Sequence, residues 1–190
     1  MMKLIIGVTG ATGAPIAIKL LKTLKELKIE THLILSKWAA VTIAQETSYS
    51  VKDVKALADY TYGSEDQAAS ISSGSKRVDG MIIVPCSMKT LAAIRTGLAD
   101  NLIARAADVM LKERKQLLLM TRETPLNTIH LENMTELSRM GVTIFPPMPA
   151  FYNQPQTIDD LIEHIVYRAL DQFGIEHQSA KRWEGLKDES

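Results

Sequence analysis

Leu4-Ile5-Ile6-Gly7-Val8 runs directly into Thr9-Gly10-Ala11-Thr12-Gly13-Ala14, and this stretch decides the fold. Its first five residues form a short, continuous apolar run, as in a strand covered on both faces. Gly10 to Ala14 then read as a tight turn. From Ile16 the period changes: Ile16, Leu20, Leu24 and Leu27 share one helical face, which Lys19, Lys22, Lys25 and Glu26 avoid. The apolar start is broken at once by Thr9-Gly10, so it reads as a buried strand and not as an export signal.

The same alternation continues down the chain. Thr31 to Leu35 is a second predicted strand, and Ser36-Lys37 opens a helix reaching about Glu46. Residues 48–79 resist assignment, apart from a polar, turn-prone loop at Ser70-Ile71-Ser72-Ser73-Gly74-Ser75. Met81 to Val84 is the third predicted strand, followed by helical patterns over about 88–97 and 100–113. Gln116 to Met120 is the fourth, Asn127 to Arg139 a helix stopped by Gly141, and Val142 to Phe145 the fifth. Pro146-Pro147-Met148-Pro149 cannot lie inside a helix, and Thr157 caps a last amphipathic helix to Phe173. Strands alternating with helices imply a parallel sheet with helices on both faces, a three-layer α/β fold of Rossmann-like or flavodoxin-like type. The reading is one domain over residues 1–177 and a polar tail over 178–190, without linker or repeat.

The 190 residues balance 22 basic against 22 acidic side chains, and 46% are hydrophobic. This is globular composition, and it carries no global charge signature for nucleic acid or anionic lipid. No apolar run approaches the roughly 20 residues of a membrane-spanning helix. The single cysteine, Cys86, excludes an intrachain disulfide and fits a reducing cytoplasm. His32, His130, His164 and His177 show no metal-ligand spacing. Cys86 follows an apolar strand with only Lys89 as a nearby cation, so it reads as a buried structural thiol.

Parallel sheets bind ligands at the carboxyl ends of their strands. In order, those ends carry Gly10-Ala11-Thr12-Gly13, Ser36-Lys37, Ser87-Met88-Lys89-Thr90, Arg122-Glu123 and, past the prolines, Phe151-Tyr152. The glycine turn alone means little: the spacing of Gly7, Gly10 and Gly13 is not the dinucleotide pattern, and no Walker lysine follows. Together the ends supply hydroxyls, backbone N–H groups and an arginine, which suits the phosphate of a mononucleotide such as FMN better than NAD. A second group is cationic. Arg105 and Lys112 share one face of a predicted helix with Asp108 between them, which also describes a surface ion-pair ladder. Arg168 lies beside Ile165 and Val166, and Glu46 ends its helix, where a carboxylate is most often a cap or solvated.

Beyond these features, whole motifs match a known family. They are residues 7–14 (GVTGATGA), Ala44 to Thr47, Pro85 to Ser87, residues 101–114 (NLIARAADVMLKER), Arg122 to Pro125, His130 to Met134 and Phe151 to Gln156. In that order they resemble the UbiX/Pad-type flavin prenyltransferases, long described as aromatic acid decarboxylases, from about residue 3 to Trp183. The resemblance implies transfer of a dimethylallyl group from dimethylallyl monophosphate to N5 and C6 of reduced FMN, without a metal. The product would serve a UbiD-type decarboxylase, and the assembly would be a homo-oligomer, a dodecamer, in the cytoplasm. By matching position, Gly10, Ala11, Thr12, Ser36, Ser87, Met88, Lys89, Thr90 and Arg122 would bind FMN. Lys112, Arg122, Glu123, Tyr152 and Arg168 would hold the prenyl phosphate with Arg105 nearby, and Glu46 would assist proton transfer; Glu46, Arg105, Lys112 and Glu123 are thus the catalytic candidates. Thr12 stands where the family often has serine, and residues 48–70 match no family pattern.

Other readings share the architecture. An FMN-dependent decarboxylase of the cysteine-peptide or phosphopantothenoylcysteine type resembles its own family in an Asn-bearing P-x-M-N motif. Here that stretch reads Pro85-Cys86-Ser87-Met88-Lys89. A flavodoxin-like electron carrier tends to be acidic, and this chain is neutral. Direct decarboxylation of phenolic acids is a further alternative.

Overall fold

In the computed structural model, which describes residues 2–178 and Gly185, the quoted stretch is a strand and helix packed back to back. Strand β1 (Lys3–Val8) leads into helix α1 (Ala14–Glu26), whose first turn holds Pro15, where a missing N–H costs nothing. Leu20, Leu21 and Leu24 of α1 are fully buried. Each such leucine contributes about 1.5–3 kcal/mol relative to leaving it in water.

The remaining elements are β2 (Glu30–Leu35), α2 (Lys37–Glu46), α3 (Val51–Lys55), β3 (Tyr60–Gly63), β4 (Gly80–Cys86), α4 (Met88–Thr96), α5 (Leu102–Lys112), β5 (Gln116–Thr121), α6 (Thr128–Arg139), β6 (Thr143–Ile144) and α7 (Ile158–Asp171). All strand pairs are parallel, in the order β3-β2-β1-β4-β5-β6. Alternate residues of β1 enter two different cores. Leu4, Ile6 and Val8 pack with α1, α2 and α7, whereas Ile5 packs with α4 and α5 on the other face. The expected three-layer α/β fold is therefore present.

Three expectations change. Helix α1 starts two residues before Ile16, and the last strand shrinks from Val142–Phe145 to two residues. The unassigned stretch holds a sixth strand, β3, paired with β2 along the register His32↔Tyr60 to Leu35↔Gly63. This edge strand is fastened by a polar cluster. His32 is fully buried; its Nδ1 lies 2.9 Å from the Tyr62 hydroxyl and its Nε2 3.0 Å from Glu30 Oε1. Its ring stacks on Tyr60 with centroids 4.8 Å apart, and Lys3 pairs with Glu30 at 3.2 Å. The predicted polar tail lies almost wholly outside the described residues.

The strand order reverses direction between β1 and β4: β2 and β3 lie to one side of β1, the later strands to the other. Crossovers leave that point on opposite faces, so a crevice opens above the carboxyl ends of β1 and β4.

Candidate functional site

A cleft of about 940 Å³ occupies that crevice. Its walls carry Gly10 to Thr12 after β1, Ser36 after β2, Ser87 to Thr90 after β4, and Arg122 after β5. All nine residues expected to bind FMN thus meet in one space, together with Glu123. The loops are tied to each other: the Thr9 hydroxyl donates to the Pro85 carbonyl at 2.7 Å and accepts from the Ser87 N–H at 2.9 Å. Gly10 is required by space. A side chain there would bring Cβ within 3.3 Å of the Trp38 Cα and closer still to its Cβ. The first turn of α2 therefore sits directly on the β1 loop.

Helix ends supply the chemistry. Ser36 Oγ accepts from the Ala39 N–H at 3.0 Å, Ser87 Oγ from the Thr90 N–H at 3.3 Å, and Asn101 Oδ1 from the Ala104 N–H at 3.1 Å. Each cap uses one orphan donor of its first turn, and all three capping residues line the cleft. The N-termini of α2, α4 and α5 thereby turn partial positive charge and backbone N–H groups on one space, which attracts an anion. Helix α1 differs. Its Gly13 and Ala14 N–H groups both donate to Glu46 Oε2 at 2.9 Å, so a carboxylate of the protein already fills that end. Glu46 does not line the cleft; it holds the glycine turn from behind.

The second cationic group is not gathered in one chain. Arg105 Nε donates to the Ser72 carbonyl at 3.1 Å, and its Nη1 pairs with Asp108 at 2.6 Å. Lys112 pairs with Glu113, and Arg168 with Asp171 at 2.7 Å. The Tyr152 hydroxyl lies 3.2 Å from His164 Nε2. None of Arg105, Lys112, Tyr152 and Arg168 lines the cleft. They lie on α5 and around α7, which cover opposite faces of the sheet. The fifth predicted strand end, Phe151-Tyr152, likewise stays away from the cleft, with Phe151 largely exposed.

Sequence reasoning missed four parts of the cleft wall. Trp38, 72% exposed, packs against Gly10, whose missing side chain leaves room for it. Ser64 and Glu65 follow β3, the strand that went unseen, and Asp100 precedes the Asn101 cap of α5. Lys37 adds a cation beside Ser36. Cys86 is buried at the end of β4, and burial pushes its thiol far up, so it is an inert packing group. Among the described residues, no three His, Cys, Asp or Glu side chains converge on a metal position, and no helix is long and apolar enough to cross a membrane.

The flavoprotein family profile matches residues 1–170. A probable UbiX-like flavin prenyltransferase of Escherichia coli O157:H7 is 63% identical over 186 residues, 97% of this chain and 94% of that one. The chain belongs to the UbiX-like flavin prenyltransferases. Solved structures agree with that membership. A dodecameric FMN-dependent UbiX-like decarboxylase from Escherichia coli O157:H7 superposes with a TM-score of 0.95 at 63% identity, covering 97% of this chain and 100% of that one. A UbiX protein (PadA1) in complex with FMN and dimethylallyl pyrophosphate gives 0.97 at 54% identity, covering 98% and 99%. A peptidyl-cysteine decarboxylase reaches 0.62 at 20% identity, covering 79% and 84%, which shows a shared fold alone. Within this UbiX-like chain, the cleft at the β1–β4 switch point is lined by residues able to hold an anionic ligand. Three capped helix ends, the hydroxyls of Thr12 and Thr90, and Arg122 are such residues.

Proposed function

We propose that this chain transfers a dimethylallyl group from dimethylallyl monophosphate to reduced FMN, making prenylated FMN for a UbiD-type decarboxylase. The observation that carries the reading is the cleft itself, where the ends of α2, α4 and α5 face one space beside a glycine turn. That donor set suits a flavin phosphate, and the complex of a 54% identical relative with FMN and dimethylallyl pyrophosphate supports FMN together with a dimethylallyl phosphate ester here.

N5 of reduced FMN would displace phosphate as the allylic C–O bond breaks, giving up its proton; C6 would then add to the prenyl alkene to close a fourth ring, losing its proton as the neighbouring alkene carbon gains one. Ser36, Ser87 and the N–H groups behind them hold the flavin phosphate, and Gly10 to Thr12 bring backbone against the ring. Arg122 and Glu123 line the same cleft and would meet the prenyl phosphate. As the allylic C–O bond breaks, charge gathers on the phosphate oxygens, and preorganised Arg and Lys donors stabilise it more than they stabilise the ground state. Glu46 secures the turn from outside the cleft, through Gly13 and Ala14, and its role in proton transfer rests on the family resemblance alone.

Arg105, Lys112, Tyr152 and Arg168 complete the cleft of neighbouring copies, in an assembly we take to be a dodecamer like that of the 63% identical relative. Their absence from their own cleft supports this arrangement. A reducing cytoplasm suits the single buried thiol. The test is anaerobic incubation with FMN, a reductant and dimethylallyl monophosphate, then mass spectrometry of the extracted flavin. A gain of one isoprenyl unit is expected. Unmodified flavin, with carbon dioxide released from a phenolic acid by this protein alone, would establish the decarboxylase instead.

A further inference from the structure

Arg105 and Lys112 both rest on a turn outside the cleft. Residues 70–75 begin as a single 3₁₀ turn (Ser70–Ser72) anchored by buried Ile71. They close with the Ser73 and Ser75 hydroxyls 2.9 Å apart and the Ser75 N–H donating to Ser73 Oγ at 3.3 Å. The carbonyl of Ser72 accepts Arg105 Nε at 3.1 Å. Two residues on, Gly74 lies beneath the heads of Lys112 and Glu113. A Cβ added there would stand 2.7 Å from Lys112 Nζ and closer still to the Glu113 carboxylate. Gly74 is not among the residues with positive φ, so its backbone does not demand glycine. What glycine provides is space, and that space is filled by the ends of two long side chains.

We propose that Gly74 is a positioning residue for the prenyl phosphate. By leaving room above the turn it sets where the Lys112 ammonium stands, while the neighbouring Ser72 carbonyl aims the Arg105 guanidinium. This rests on the reading that these two cations hold the phosphate of dimethylallyl monophosphate. Their roles differ in kind from that of Gly74, which touches no ligand. An added methyl meets only flexible side-chain ends, so the fold yields cheaply, but the yielding atoms are the charged heads themselves. A displaced ammonium loses a charge-assisted hydrogen bond to phosphate, a loss that corresponds to at least about a tenfold change.

The experiment uses purified full-length protein carrying Gly74→Ala, with Lys112→Ala and Arg105→Ala as references. Steady-state prenylation, reduced-FMN affinity and thermal unfolding are measured for each. In Gly74→Ala, kcat/KM for dimethylallyl monophosphate is expected to fall about tenfold, with FMN affinity and Tm unchanged. Adding Glu113→Ala, which removes the first atom the methyl meets, should restore part of that loss. Wild-type kcat/KM in Gly74→Ala alongside a loss in Lys112→Ala overturns the proposal while leaving the cation reading intact. Wild-type kcat/KM in both reference variants overturns the cation reading itself, and the proposal with it. Equal losses in FMN affinity, Tm and kcat/KM make Gly74 merely structural, which also overturns the proposal. Should Gly74→Ala fail to fold, Ser73→Ala opens the turn without adding an atom. It must show the same selective loss, and wild-type kinetics there refutes the positioning role.

Discussion

Glu46 can be made to report two roles separately. Its Oε2 accepts two backbone N–H groups, from Gly13 and Ala14, each at 2.9 Å, and the carboxylate is only partly buried. Loss of a helix cap costs about 0.5–2 kcal/mol. Loss of a negative charge at a helix N-terminus adds about 0.3–1 kcal/mol. Glu46→Ala should therefore cost about 2 kcal/mol and lower Tm by roughly 4–8 °C for a chain of this size. It should also weaken FMN binding, because the turn it releases carries Gly10 to Thr12 along the cleft. Glu46→Gln keeps an oxygen acceptor and loses only the charge, so its stability cost stays within about 1 kcal/mol. If the carboxylate also transfers a proton, the glutamine variant should still lose about 10²- to 10⁴-fold in rate. The assays are scanning calorimetry, flavin titration and single-turnover flavin spectra with reduced FMN bound. An unchanged Tm in Glu46→Ala refutes the capping argument. An unchanged single-turnover rate in Glu46→Gln would falsify the catalytic role and leave a carboxylate that only holds a helix end.

Ser87→Trp should fill the cleft beside Thr90 and abolish copurification of yellow flavin, and wild-type flavin occupancy would displace the ligand from this site. Mixed under subunit exchange with inactive Arg168→Ala, that variant should regain activity, because each copy then supplies what the other lacks; zero activity in demonstrably mixed oligomers refutes the shared cleft. Burial holds the His32 pKa below its ordinary value, opposed by the ring's hydrogen bond to Glu30 and aided by the charges of Lys76 and Lys3, with the rings of Tyr60 and Tyr62 packed on it. The unfolded chain therefore binds the proton more readily, so stability is full above about pH 6.5 and falls as pH drops from there through the folded pKa. Urea midpoints from pH 7.5 to 5 should decline more steeply for the native chain than for His32→Gln, and parallel declines would remove His32 from the account.

What the sequence makes legible follows from how each element earns its burial. Strands β1, β4 and β5 are covered on both faces and write apolar runs, and β2 adds the shorter run Leu33-Ile34-Leu35 after Glu30-Thr31-His32. Tyr60-Thr61-Tyr62-Gly63 is an exposed edge, held by His32 from the neighbouring strand, and a local window contains no trace of that partner. With β3 hidden, Ser64 and Glu65 could not be placed at the cleft. The switch-point residues were legible because their strands were, and because caps announce helix starts chemically: Ser36, Ser87 and Asn101 all open helices. The cations were harder. Helical spacing puts Arg105 and Lys112 on one face, but only the folded chain shows that this face meets the 70–75 turn and not the cleft.

The two margins of the sheet have a consequence for how copies of this chain can meet. One margin is four residues of β3 and the other two residues of β6, so neither offers a length of unpaired backbone on which a further strand could be templated. Sheet growth from chain to chain is thus blunted at both ends. Contact between copies is thereby left to side chains on helices and loops. A variant that loosens the cleft should accordingly lose flavin well before it turns into fibrous aggregate.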